Sequence, residues 1–197
     1  SLLCFSGTRA DRMNMKPAPT ILRFHQSRWF FPGLLTAAIF LVFGDSIAAG
    51  TFVIPTDKEF FLQWFPYRLF LQAALSEGRF PLWCPDLLAG FPLASFPHAG
   101  CFYPLNALFL ARDYPLASTW FHLLHLVLIG LFIYGLCREK GASAPSSFAA
   151  SLAFALSGPV FHQMAASHDF TTLTWICGLA LMLMRLAKRG RTPDFAL

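Results

Sequence analysis

Four apolar runs, Trp29 to Ala49, Tyr114 to Cys137, Ser147 to Ala166 and Phe170 to Ala187, each reach the length of roughly 20 residues that a helix needs to cross a hydrocarbon core. They occupy close to half of a 197-residue chain. One soluble core of that size could not hide them, because 56% of all residues are hydrophobic, 13% are charged and the mean hydropathy is +0.54. The fold class expected is an all-α polytopic membrane protein. Its expected form is four transmembrane helices with a long external loop containing membrane-parallel amphipathic helices.

The basic residues set the orientation. Arg9, Arg12, Lys16, Arg23 and Arg28 precede the first run, Arg138 and Lys140 follow the second, and Lys188, Arg189 and Arg191 follow the fourth. With four spans all three clusters share one side, and the positive-inside rule makes it the cytoplasm. Residues 1–28, 138–146 and 188–197 are then cytoplasmic, 29–49, 114–137, 147–166 and 170–187 are spans, and 50–113 and 167–169 are external. The net charge of +5 is spread over these clusters rather than gathered in one stripe, so no nucleic-acid partner is expected. The first run is too long for a signal-peptide core and is expected to stay as a span. The sequence begins without Met and ends as if approaching another element, which suggests the N-terminal part of a longer protein.

The external segment from Asp57 to Leu110 is too rich in Phe, Trp, Leu and Tyr to be disordered. From Lys58 to Glu77, Phe61, Leu62, Phe65, Leu69 and Leu75 recur at helical spacing with Gln63, Arg68 and Gln72 elsewhere on the wheel. This predicts an amphipathic surface helix ended by Gly78. Beyond it Pro81, Pro85, Pro92, Pro97 and Pro104 impose turns and short helical pieces.

Several residues carry chemical potential. Asp57, just beyond the first span, with Glu59 two positions on, suits a general base or a divalent-cation ligand, although one carboxylate pair is not a coordination shell. The competing reading is a helix cap, with Thr56 or Asp57 opening the Lys58 helix. Asp45 reads as an interfacial polar residue before it reads as a functional intramembrane carboxylate. His122 and His125 lie three apart on one face of the second span, where hydrogen bonding to a neighbouring helix is the commoner use and a ligand pair the rarer one. His162, His168 and Asp169 gather at the short outer turn, either as plain turn residues or as a second contribution to an outer site. Arg68 and Arg79 have two readings of equal weight: a bidentate grip on a lipid phosphate, and snorkelling to headgroups. Trp64, Trp83, Tyr67 and Tyr103 suit the interfacial aromatic belt, with sugar stacking second. Five cysteines without a C-x-x-C pair argue against zinc. Cys84 and Cys101 share the external loop, where a disulfide would persist, but two small buried thiols are the commoner arrangement.

The run Gly78-Arg79-Phe80-Pro81-Leu82-Trp83-Cys84-Pro85, then Ala89-Gly90-Phe91-Pro92-Leu93, then Phe102-Tyr103-Pro104-Leu105-Asn106, resembles the first external loop of the YfhO family of bacterial membrane proteins. The likeness continues in Leu124-His125-Leu126, Gly130-Leu131-Phe132-Ile133-Tyr134 and Ala153-Phe154-Ala155-Leu156-Ser157-Gly158, and covers about Asp57 to Arg189. The family pattern has Asn where this chain has Cys84. The resemblance implies a GT-C type integral membrane glycosyltransferase of the bacterial inner membrane, with a polyprenyl-phosphate sugar donor, a glycan or lipid acceptor, and contact with membrane lipid. It also implies a catalytic role for Asp57, the position matching the acidic residue after the first span. Glu59, Arg68, Arg79, His168 and Asp169 are the expected substrate-binding residues. The rival expectations are a non-catalytic envelope-assembly protein of the same fold and, behind it, a transporter, since transporters place broken helices at the midplane.

Overall fold

The computed structural model describes residues 29–51, 62, 65–85, 89–96, 99–110, 113–165 and 167–190, and among them the fold is all-helical. The helices are α1 (Phe30–Val42), α2 (Gly44–Ala49), α3 (Phe65–Ser76), α4 (Tyr114–Glu139), α5 (Ala144–Ala155), α6 (Gly158–Ala165) and α7 (Ser167–Arg189). Two 3-10 helices, Leu93–Ser95 and Pro104–Leu110, lie in the loop between α3 and α4.

α4 is the central element because it is apolar on every side, which suits a helix covered all round. Asp113 caps it by accepting from the Leu116 N–H at 3.1 Å, and Pro115 supplies a preformed first turn. At the other end the Arg138 guanidinium donates to the Ala142 carbonyl at 2.6 Å. α1, α5 and α7 pack around it, and Leu35, Ile39 and Phe43 of α1 join Phe109, Phe121, Leu126 and Ile129 in the main core. Gly130 permits the α1 approach, since a Cβ there would stand 3.0 Å from Leu35 Cδ2.

Among the described residues, α4 and α7 are the two helices long and apolar enough to cross a membrane, and the bent pair α5–α6 makes a third if it is one span. The first expected span is divided. Its 13-residue α1 rises about 20 Å, short of a hydrocarbon core of about 30 Å, and the chain passes through Phe43 into the six-residue α2. In the third, Pro159 lacks an N–H and its ring crowds the carbonyl of Ala155, so α5 ends there and α6 departs at 47°. Residues 167–169, expected as a turn, are already the first turn of α7.

The segment between α2 and α4 has its own small core of Cys84, Leu93 and Ala99, enclosed by Tyr67, Phe70, Phe91, Phe96 and Cys101. Cys84 and Phe91 exchange two backbone hydrogen bonds of 2.8 Å, and the rings of Tyr67, Phe91 and Phe96 meet at 5.1 to 6.0 Å. Gly90 makes the turn between them with φ +111°, and a Cβ there would lie 2.6 Å from Trp83 Cζ2.

α3 begins within the expected surface helix and gives way to Gly78 at φ +70°, but it presents a different face. Arg68, Leu71 and Ala74 are buried, while Leu69 is exposed and Leu62, in the segment before α3, is exposed as well. Periodicity found the helix; docking on residues 104–110 decided which stripe faces inward. The start of that expected helix, with Asp57, Glu59 and Trp64, lies outside the described residues.

Because Gly90 combines left-handed backbone with a closed contact, Gly90→Ala is expected to loosen the loop core and cost about 1–3 kcal/mol. Maleimide labelling of Cys84, fully buried in the native loop, reads this out. Labelling as slow in the variant as in the wild type would contradict it.

Candidate functional site

The loop meets the helices at Arg68. Its side chain is 4% exposed, and its Nη1 donates to Asn106 Oδ1. The guanidinium carbon lies 4.6 Å from the Phe109 ring centre and 5.0 Å from that of Phe121, so the cation is held between aromatic faces. No carboxylate pairs with it among the described residues. Burial accordingly works against its charge and lowers its pKa, an effect opposed by Tyr114, Cys101 and Tyr103. Asn106 is fixed from both ends. Its oxygen accepts from Arg68 and its Nδ2 donates to the Gly100 carbonyl, the only assignment in which both pairs match.

A second hydrogen-bonded chain lies beside the first. His125 Nδ1 is 2.7 Å from the Phe121 carbonyl and must carry the proton, leaving Nε2 as the acceptor of the neutral ring. Tyr103 Oη, 2.6 Å from that Nε2, therefore donates to it, and Trp175 Nε1 donates to Tyr103 Oη at 2.9 Å. Burial raises the Tyr103 pKa, against smaller opposing effects of the Trp175 bond and Arg68, so the phenol keeps the proton it donates. The chain ties α7 through the loop to α4. His122 Nδ1 bonds the Ser118 carbonyl at 2.7 Å, and its ring stacks on Phe170.

The two histidines thus stand side by side on one helix face but are committed to hydrogen bonds. No group of three or more His, Cys, Asp or Glu placed to hold a metal occurs among the described residues. Arg79 is exposed and lies on Glu77. Asp169 is exposed in the first turn of α7, beside a cavity of about 710 Å³ shared with Ser157, Pro159 and Gln163. His162 is exposed on α6, Asp45 is exposed in the first turn of α2, and the His168 side chain is outside the described set, as are Asp57 and Glu59. Cys84 and Cys101 are free thiols in the same small core.

Arg68 is therefore brought together with Asn106, Tyr103 and His125, and Arg79 stands apart on the surface. Asn106 and Trp175 were not among the residues expected to matter. Each carried a signal, since an amide in an aromatic loop and an indole N–H in an apolar span both need partners.

Asn106→Ala is expected to destabilise the fold by about 1–3 kcal/mol by leaving the guanidinium and the Gly100 carbonyl unpaired. Asn106→Asp, which keeps an acceptor and adds a counter-charge, should lose less. Thermal unfolding in detergent orders the three proteins, and an Asn106→Ala midpoint equal to wild type would refute the assignment.

No family model, no curated protein and no solved structure matches this chain.

Proposed function

We propose that this chain is part of a bacterial inner-membrane sugar transferase of the GT-C type, similar to the YfhO family, with four spans and a cytoplasmic N-terminus. It would move a sugar from a polyprenyl-phosphate donor to a glycan or lipid acceptor at the outer face. The observation that supports this reading is where the described residues on either side of Asp57 are held. Thr119 Oγ1 donates to the Thr51 carbonyl at 2.8 Å before it, and Phe65 meets Tyr114 edge-on at 4.9 Å after it. Both anchors are at the N-terminal end of α4, the end that this reading puts at the outer face, next to the loop whose motifs carry the family resemblance.

In the mechanism that follows, Asp57 accepts the proton of the acceptor hydroxyl as its oxygen bonds to the anomeric carbon. The bond from that carbon to the phosphate oxygen breaks, and the lipid phosphate leaves as an anion. Arg79, an exposed cation of the loop that lies on Glu77, would meet that charge, with Glu59, His168 and Asp169 as further substrate contacts. Arg68, enclosed by Asn106 and two rings, acts by holding the loop on α4.

A second reading is a non-catalytic component that handles or moves a lipid or sugar. It draws on the 47° break between α5 and α6 and the cavity with Gln163 and Asp169 beside it, since transport folds build sites at interrupted helices. Asp57→Asn separates the two. Loss of envelope glycan modification with membrane insertion unchanged is the outcome expected of the transferase; unchanged modification removes Asp57 as its base and favours the second reading.

A further inference from the structure

α7 leaves an apolar face uncovered: Trp175, Ile176, Leu179, Met182, Leu183 and Leu186 are between 47% and 66% exposed. A groove of about 620 Å³ runs along it, from Tyr103 and Thr171 at one end to Arg185 at the other. Its wall exists because residue 178 is glycine. A Cβ there would come within 2.9 Å of Phe132 Cε2, so the ring packs directly on the α7 backbone. A second recess, of about 280 Å³, is lined by Glu139, Arg185, Lys188 and Arg189. Arg185 lines both, so the apolar groove opens into a basic end.

Among the described residues, Arg185 and Lys188 share one carboxylate at that end. Glu139 alone receives Arg185 Nε at 3.1 Å and Lys188 Nζ at 2.9 Å. Arg185 is held by Nε, which leaves its two terminal nitrogens without hydrogen bonds among the described residues. A guanidinium oriented through Nε with a free terminal fork is suited to a phosphate.

We propose that groove and recess together hold one anionic phospholipid of the cytoplasmic leaflet, its phosphate on Arg185 and Lys188 and one acyl chain running past Leu181 and Gly178 to Trp175. The dimensions agree. Trp175 and Arg185 are ten residues apart, about 15 Å of helix rise and half of a hydrocarbon core of about 30 Å. The charges are complementary, and basic recesses between spanning helices on the cytoplasmic side are suited to anionic headgroups. The inference rests on the membrane reading and its orientation, and is independent of sugar transfer.

The test is native mass spectrometry of the intact protein from micelles holding equal amounts of phosphatidylglycerol and phosphatidylcholine. The expected result is at least tenfold preferential retention of phosphatidylglycerol, lost in Arg185→Gln/Lys188→Gln. Leu179→Trp, which narrows the groove at an exposed position, should reduce retention with the basic end intact. Circular dichroism of each variant distinguishes a lost site from a lost fold. Equal retention of the two lipids, an unaltered preference in the double variant, or displacement by equimolar glycerol phosphate lacking acyl chains would overturn the proposal. None of these outcomes bears on Asp57, whose own assay is separate.

Discussion

The burial of one guanidinium governs how the loop before α4 meets the helices. Removing the Arg68 charge from water costs several kcal/mol even after relaxation. With no carboxylate against it among the described residues, that cost must be offset by what surrounds it. A hydrogen bond to a charged group contributes about 1.5–3 kcal/mol, and a desolvated cation over an aromatic face about 2 or more. Asn106, Phe109 and Phe121 together supply a total of the required order. Since Asn106 and Phe109 lie on residues 104–110 and Phe121 on α4, the cation is stable only if loop and helix are both in place.

That requirement draws the loop alongside α4 rather than across its end. The first helical pair ends at Ala49, and Thr51 just beyond it bonds to Thr119, yet Tyr103 bonds to His125, six residues and about 9 Å further along α4. The Tyr103 hydroxyl is held there by α4 and α7, donating to His125 and accepting from Trp175. The two buried histidines fit the same logic. Each has its Nδ1 on a carbonyl of its own helix one turn back, and His125 uses its remaining nitrogen to hold the loop.

Local rules made α4, α7 and the existence of α3 legible, because the runs are long, their ends carry a proper cap or glycine, and apolar composition needs no partner to be read. The division of the first run and the break in the third also had local signals, in Gly44-Asp45 and in Ser157-Gly158-Pro159, but average apolarity outweighed them. The inward face of α3 had none. Arg68 is buried by Asn106, 38 residues away, and no periodicity within a helix encodes a partner at that distance. Tyr103 and His125 were individually visible as an aromatic in a proline-studded loop and a histidine in an apolar run. Their pairing depends on the depth to which the loop descends, which is a tertiary property.

Trp175 links the two ends of this architecture. Its N–H fastens Tyr103, and through it the loop, while its ring lines the groove that descends to Arg185. A chain filling that groove would press on the same indole that holds the loop to α7. If the chain favours the indole rotamer that donates to Tyr103, occupancy of the groove stabilises the docked loop by the difference in its affinity for the two rotamers, and the docked loop strengthens binding by the same factor. The proposed lipid and the docked loop would then be coupled through the one hydrogen bond from Trp175 to Tyr103, both of which line the groove, without any helix having to move.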